Sequence, residues 1–390
     1  MTFCSALGTS VTLIQCVLVE FSCIYSYTAL LGMPPFVLCV SQNLTSADRT
    51  DRSEDGDSQA ERAVALFFPD LLTNGANCTK LKAEKICFWE GEDMKIIDAH
   101  NHPDFHGHNF ERMIENMDRN GIAQTWLLAW ETPEDEYDPA TKFCMALPID
   151  DSNPNSFRLC WEYKQKAPDR FILGYAPDPR RPDAIQRMRA AIANYNVQIC
   201  GEVKLRMMYD NPDAIDLFRF CGENGLPVTL HFDNASAQRT GREFPRRSWW
   251  YGGDIDTLER VLRLCPETKF LGHAPGFWCH ISNDDLGTTT AYPTGPVVPG
   301  GRIEQLLEKY DNLYCDMSAG SCLTAVSRDP EYTKTLIFAH PEKFVFARDY
   351  YDSRMYQFIE SLDLPDDIRE NIYHANAERI TPPVKQVRIE

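Results

Sequence analysis

The side chains best suited to chemistry in this sequence are histidines and one aspartate at the ends of short apolar runs. His100 and His102 end the first run, His231 and His273 end two later ones, and Asp349 follows the last. Side chains two residues apart in a strand point to the same side, so His100 and His102 can share one cation. Each residue alone could be structural. Their joint placement indicates a site for Zn²⁺ or another divalent first-row metal ion.

A further apolar run, residues 199–205, carries two charged residues of the same parity, Glu202 and Lys204. Both are predicted to face the interior, where an unpaired charge is costly. An inward glutamate is explained if it binds a metal. An inward lysine is explained if it pairs with a carboxylate, contacts a substrate or becomes carboxylated as a bridging ligand. The alternative is an ion pair between the two.

The remaining histidines are weaker candidates. His106, His108 and His280 lie in segments that follow predicted strands, where each could contact a substrate but solvent exposure is expected. His340 and His374 are expected to be structural, in outer helical segments.

From residue 94 onward, short apolar runs alternate with amphipathic stretches, as in βα units around a parallel sheet. Eight strands are predicted, over residues 95–98, 123–129, 171–175, 199–205, 227–231, 269–273, 313–316 and 343–347. Helices are predicted over residues 110–120, 212–224, 254–265, 303–310 and 351–362.

This alternation predicts an α/β fold, a (β/α)₈ TIM barrel formed by residues 94–390. The alternative is a doubly wound open sheet, but its usual Gly-rich turn after the first strand is replaced here by His100-Asn-His102. Long segments follow three strands, at residues 131–155, 233–253 and 274–301. Because such segments surround the mouth of a barrel, we expect them to shape a substrate site.

The composition argues against several classes of partner. A net charge of −18 argues against nucleic acid and against docking onto anionic lipid by charge alone. The 14 cysteines form no CxxC pair or zinc-finger spacing. Those in apolar runs are expected to be buried free thiols, which favours a reducing, cytoplasmic location.

Residues 1–93 are predicted to be a poorly structured extension. Residues 21–40 are uncharged and about long enough to span a bilayer, but two prolines interrupt them and no basic flank precedes them. Residues 41–62 are polar, as in a disordered linker. Three interpretations stay open: a membrane anchor or signal peptide, an unstructured extension, or upstream translation outside a functional protein that starts near Met94. Only the first implies a membrane.

These motifs together resemble the amidohydrolase superfamily, specifically its amidohydrolase-related family of TIM-barrel metal-dependent hydrolases and decarboxylases. The resemblance runs in order over residues 94–380. It rests on Asp98-Ala-His-Asn-His102, Gly-Glu202-Val-Lys-Leu, Leu-Pro-Val-Thr-Leu-His231, Leu-Gly-His273 and residues 371–379.

The resemblance implies a role for each candidate. The metal ligands would be His100, His102, Glu202, His231 and Asp349. Asp349 would also accept a proton, and His273 would be a second-metal ligand or the catalytic base. Glu202 resembles the bridging glutamate of TatD-type metal hydrolases, which implies a binuclear site. The chain departs from the family at Arg348, where a small or hydroxyl residue commonly precedes the aspartate.

The expected activity is hydrolysis of an ester, lactone, amide or related bond in a small molecule, by a water that a divalent metal ion activates. Zinc is the expected metal, with manganese or iron as alternatives. Lys204 and Arg242 are candidates for substrate binding, because a cationic side chain can hold a substrate carboxylate. A homo-oligomer is an open expectation.

Two alternatives stay open. Relatives include non-oxidative decarboxylases and hydratases of small carboxylated substrates, often with one metal ion, in which a histidine such as His273 acts in protonation. The role of Glu202 discriminates between a hydrolase and a lyase. A metal ion bound to Glu202 favours hydrolysis, whereas an ion pair of Glu202 with Lys204 alone is compatible with a lyase. The non-enzyme alternative is a metal-binding structural barrel.

Overall fold

The computed structural model describes residues 94–133, 136, 156–233, 252–381 and 383. Eight strands alternate with helices along these residues. The strands are β1 (Ile96–Asn101), β2 (Ile122–Leu127), β3 (Phe171–Leu173), β4 (Cys200–Val203), β5 (Val228–His231), β6 (Phe270–His273), β7 (Leu313–Met317) and β8 (Phe344–Phe346). All eight predicted strands are therefore present, each with bounds shifted by up to three residues.

Parallel pairing joins the strands in sequence order and closes them into a barrel. The ladders run β1-β2-β3 and β4-β5-β6-β7-β8. Between β3 and β4, Tyr175 N donates to Ile199 O at 3.0 Å, and Gln198 N donates to Leu173 O at 3.0 Å. Between β8 and β1, Asp349 N donates to His100 O at 2.8 Å. The predicted (β/α)₈ TIM barrel is confirmed.

The helices surround the strands. They are α1 (Phe110–Arg119), α2 (Phe157–Lys166), α3 (Ala184–Tyr195), α4 (Pro212–Glu223), α5 (Ile255–Leu264), α6 (Pro275–Trp278), α7 (Arg302–Lys309), α8 (Ala319–Val326), α9 (Pro330–Ala339), α10 (Arg354–Ser361), α11 (Asp366–Glu370) and α12 (Asn376–Ile380). Local sequence explains several starts: Asn211 caps α4 ahead of Pro212, and Asp254 forms a capping box with Thr257.

One helix begins later than its pattern predicts. The pattern extends from residue 351, whereas α10 begins at Arg354. The intervening Tyr351 stacks on His108, with ring centroids 3.7 Å apart. The start of the expected helix is thus used as a loop that packs against the segment after β1.

Two apolar clusters support the barrel. The larger lies between strands and helices, as the apolar faces of the helices require. The smaller draws Ile97, Trp126, Leu271, Tyr314 and Val345 from five different strands, so it fills the barrel lumen. Because apolar side chains fill the lumen, a polar site is expected at the ends of the strands.

The long segments are described in part. Residues 274–301 are tied down by Arg328, whose guanidinium donates to Gly295 O and Pro296 O at 2.9 Å each and pairs with Asp284. Most of segments 131–155 and 233–253 lies outside the described residues, as does the predicted extension 1–93. Within the described part of the chain, no helix has the length and apolarity needed to cross a bilayer.

Candidate metal centre

His100 and His102 lie at the carboxyl end of β1, both buried, with their Nδ1 atoms engaged outside the centre. Asp316 Oδ2 lies 2.6 Å from Nδ1 of His100, and Leu128 O lies 2.9 Å from Nδ1 of His102. A hydrogen bond at one ring nitrogen orients the ring and leaves the other for a ligand role. The two Nε2 atoms are therefore the ones available to a metal.

Asp349, three residues after the end of β8, completes a first ligand group. Its Oδ1 lies 3.4 Å from His102 Nε2 and 4.0 Å from His100 Nε2. Glu202 Oε2 lies 3.6 and 3.9 Å from the same two nitrogens. Four ligand atoms about 2.1 Å from a zinc-sized ion in a tetrahedron are about 3.4 Å apart. The spacing of this group suits one divalent ion.

A second group forms around the other oxygen of Glu202. Oε1 lies 2.6 Å from His231 Nδ1 and 3.5 Å from His273 Nε2. Asp349 Oδ2 also faces His273 Nε2, at 3.8 Å. The 2.6 Å contact is a hydrogen bond, so a metal ion held by both Glu202 and His231 would have to replace the proton between them. Both carboxylates thus face the two groups at once.

Buried polar atoms that lack a hydrogen-bond partner indicate whether this centre fits a cation. His100 Nε2 and Asp349 Oδ1 are among the buried polar atoms that lack a hydrogen-bond partner in the described residues. Leaving buried polar atoms unsatisfied is costly, and at functional sites it commonly marks the place of an ion or water. Both atoms belong to the first ligand group. The residues present therefore fit a divalent metal ion.

The two carboxylates are held in the ionised form that a metal requires. Burial alone would raise the pKa of Asp349, but the nearby imidazoles, His100 first, lower it to about 2. Burial likewise opposes ionisation of Glu202, but His231 and Lys204 bring its pKa well below its usual value. Both side chains therefore carry negative charge at neutral pH.

The histidines divide into two protonation states. Burial lowers the pKa of His273 to about 4, so this ring is neutral. Burial also disfavours the cation of His100, but Asp316, Asp349 and Glu202 together outweigh it, and the pKa rises to about 10. Burial and the charge of Lys204 lower the pKa of His231, but Glu202 and Asp233 together outweigh them, so this pKa is raised as well. In the absence of metal, the protonated His100 ring balances part of the charge that an ion would otherwise balance.

Two positioning residues were missed by sequence reasoning. Asp316, in β7, accepts the hydrogen bond from His100, and Ser318 Oγ lies 2.9 Å from His273 Nδ1. Such partners orient metal-binding histidines and raise their basicity. A signal for Asp316 existed: it is a fully buried carboxylate in an otherwise apolar strand, the same feature that singled out Glu202.

Arg348 stands where the family pattern commonly has a small or hydroxyl residue, and Asp349 still lies in the first ligand group. Arg348 is buried and points away from the centre, where its Nε donates to Asp98 Oδ2 at 2.8 Å and its Nη1 donates to Asn116 Oδ1 at 2.8 Å. Its backbone N also donates to Asp98 Oδ1, at 2.8 Å. Asp349 then adopts a left-handed φ of 52°. The Asp98–Arg348 pair thus joins β1 to β8 directly beneath the ligands.

Of the two candidates for substrate binding, only Lys204 lies in the described residues. It follows β4, and its Nζ lies 5.6 Å from the centroid of the Trp130 ring. Glu202 faces the ends of the other strands, as its contacts with His231 and His273 show, and the charge of Lys204 helps to lower its pKa. Glu202 also contacts histidines of both ligand groups, so it is not paired with Lys204 alone. Arg242 lies outside the described residues.

The remaining histidines lie outside the ligand groups. His106 stacks on Tyr350 at 4.6 Å, and His108 stacks on Tyr351, so both are partly buried instead of fully exposed. His280 is also partly buried, in a short helical turn after α6. His340 and His374 lie at the end of α9 and in the turn before α12, as predicted.

Several solved structures are similar in fold to this protein over most of its length. They include an uncharacterized TIM-barrel protein from Bordetella bronchiseptica, with 18% identity, a TM-score of 0.48, and coverage of 73% of this chain and 98% of that one. A 5-carboxyvanillate decarboxylase from Sphingomonas paucimobilis has 17% identity and a TM-score of 0.46, covering 74% and 99%. A probable 2-pyrone-4,6-dicarboxylic acid hydrolase from Acinetobacter baumannii has 12% identity and a TM-score of 0.46, covering 74% and 99%.

No curated protein matches this chain. The family model described as amidohydrolase matches residues 97–381, which is most of the chain and includes every residue of both ligand groups. The chain belongs to the amidohydrolase family.

Proposed function

We propose that this protein is a two-metal hydrolase that cleaves an ester, lactone, amide or related bond in a small molecule. The observation that carries the proposal is the position of Glu202. One of its oxygens faces His100 and His102, and the other faces His231 and His273. A buried carboxylate shared between two ligand groups is suited to bridge two cations.

The chain would hold the first ion with His100, His102, Asp349 and Glu202, and the second with Glu202, His231 and His273. When bound, such ions acidify water and polarise a carbonyl oxygen. Zinc is the ion we propose, since imidazole and carboxylate ligands suit it, with manganese or iron as alternatives. The test of metal identity is metal analysis of the isolated protein.

Asp349 is the residue best placed to move the proton. Its side chain is 17% exposed, against 0–2% for His100 and Glu202, so it faces the mouth where a substrate enters. Its ionised carboxylate would accept a proton from the attacking water and pass it to the leaving group. His273 is neutral, as a metal ligand must be, and its orientation is held by Ser318.

A lyase is the second candidate, and one contact favours it. The hydrogen bond between Glu202 Oε1 and His231 Nδ1, at 2.6 Å, would keep the second group closed around a proton. One ion in the first group would then chelate a carboxylated substrate, with His273 acting in protonation. The pKa of about 4 for His273 counts against this role, because the ring would rarely carry a proton to give at neutral pH.

The test is a substrate panel on metal-replete protein: esters, lactones, amides, phosphoesters and aromatic carboxylates, with acid release and CO₂ release measured together. We expect hydrolysis without CO₂, and Glu202→Gln should lower the rate by at least about a hundredfold, because the proposed site would lose the carboxylate that both ligand groups share. Glu259→Gln, on helix α5 outside the barrel, is the control and should keep full activity. CO₂ release by protein holding one ion per chain would replace the hydrolase with the lyase.

A further inference from the structure

The segment between β1 and α1 lies beside the metal ligands and carries a row of aromatic rings. Phe105 packs edge-on against His102, with ring centroids 5.0 Å apart. His106 packs against Phe105 at 4.2 Å and stacks on Tyr350 at 4.6 Å. The rings of Phe105, His106 and Tyr350 thus form a mouth wall. This wall extends from the ligand His102 to the residue next to the ligand Asp349.

The backbone that carries the wall has an uncommon conformation. Asp104 and His106 have left-handed φ values of 50° and 47°. Left-handed backbone is uncommon outside glycine, and it persists where surrounding contacts fix it. Within the segment, His108 N donates to Phe105 O at 2.9 Å and closes the turn around His106. That bond does not reach Asp104, so the start of the turn depends on a different contact.

Tyr163, on helix α2, supplies that contact from outside the segment. Its hydroxyl donates to Asp104 Oδ1 at 2.5 Å and accepts a hydrogen bond from Asp104 N at 3.3 Å. The Tyr163 ring is buried against Phe110 and Phe171, with centroids 5.1 and 5.8 Å away, so its hydroxyl has a fixed position. Burial and the bond to Asp104 raise the pKa of this phenol, which therefore keeps its proton at neutral pH.

We propose that Tyr163 is a positioning residue of the substrate site, because its hydrogen bonds to Asp104 hold the mouth wall in place before a substrate binds. Both partners of the hydroxyl are atoms of Asp104, so its effect on the site passes through the wall. A wall that is already ordered does not have to be ordered on binding, which preserves affinity. This inference rests on the proposed function, because the wall has a use only if a small molecule binds at the metal centre.

The first test measures hydrogen exchange at the His108 amide in the full metal-free chain, by mass spectrometry with residue resolution. This amide closes the turn of the wall and does not contact Tyr163. We expect Tyr163→Phe to speed its exchange about ten- to a hundredfold, the range for loss of a hydrogen bond to a charged group. Tyr373→Phe is the matched control and should leave this exchange unchanged. Tyr373 is also buried, and its hydroxyl also donates to a carboxylate, Glu360 Oε1, at 2.7 Å.

The second test asks whether the wall serves the substrate site. Acetohydroxamate and benzohydroxamate are titrated into metal-loaded protein, since both bind a metal ion through the same group and only the second carries a ring. We expect the wild type to bind benzohydroxamate more tightly, because its ring can pack against the mouth wall. Tyr163→Phe should lose about tenfold of the benzohydroxamate affinity, since the wall must then be ordered on binding. Its acetohydroxamate affinity and metal content should not change.

Unchanged exchange at His108 in Tyr163→Phe would overturn the inference, as would an equal response of the two hydroxamates to this substitution. If Tyr163→Phe does not fold, Asp104→Gly replaces it and Asp104→Asn becomes its control. Both residues adopt left-handed backbone readily, but only asparagine keeps an acceptor for the hydroxyl, so equal exchange in the two would overturn the inference. Metal content separates the two proposals. One ion per chain with the expected Tyr163 effects would contradict the two-metal hydrolase alone.

Discussion

The pair formed by Asp98 and Arg348 offers a direct test of how the barrel supports the ligands. The side chains are 0% and 3% exposed, and they join β1 to β8 next to His100 and Asp349. In Arg348→Met, Asp98 would keep its hydrogen bonds from the backbone N of residue 348 and from Asn101 but would lose the opposite charge. A buried carboxylate would then lack compensation.

The expected loss of stability is about 3–5 kcal/mol, the usual result of removing one partner of a buried ion pair. The assay is urea unfolding of the metal-free protein, followed by circular dichroism and tryptophan fluorescence. The double variant Asp98→Asn with Arg348→Met should be more stable than Arg348→Met alone, because no uncompensated charge remains.

Arg158→Met is the matched control. Arg158 pairs with Glu162 on the surface of α2, where it is 58% exposed, so its removal should change stability by less than about 1 kcal/mol. A loss below about 1 kcal/mol for Arg348→Met would refute the view that this pair holds β1 and β8 together.

Two further predictions concern the histidines. Asp316→Asn removes the charged partner of His100 and should weaken metal binding about ten- to a hundredfold while leaving the fold intact, as chelator competition and circular dichroism can measure. An unchanged affinity would exclude Asp316 as a positioning residue. The pKa of His100 is raised from 6.5 to about 10, so its stabilising effect on metal-free protein is complete below pH 6.5 and is lost as the pH rises toward 10. Between pH 6.5 and about 8.5 the metal-free protein should lose about 2 kcal/mol more stability than His100→Gln does, as measured by urea unfolding. Parallel pH profiles of the two proteins would contradict this.

The fold was predictable because its signals are local. Eight apolar runs correspond to eight strands, and caps such as Asn211 and Asp254 begin helices where expected. Buried parallel strands are apolar on both faces, so a charged residue inside one stands out. That reasoning identified Glu202, which the structure brings into contact with four histidines.

The partners of the ligands were harder to predict, because they depend on contacts between strands distant in sequence. Asp316 lies 216 residues from His100, and Asp98 lies 250 residues from Arg348. No spacing rule connects such pairs; only closure of the barrel does. Helix α10 likewise begins at Arg354, although its helical sequence pattern starts at residue 351, and Tyr351 instead stacks on His108. Tertiary contacts override local preference in such places.

The central claim is that Glu202 bridges two metal ions. Its most direct test is a crystal structure of metal-loaded protein with anomalous scattering recorded at the metal edge. Two peaks about 3.5–4 Å apart are predicted, one on each side of the Glu202 carboxylate. A single peak bound by His100, His102 and Asp349, with Glu202 still hydrogen-bonded to His231, would contradict the account.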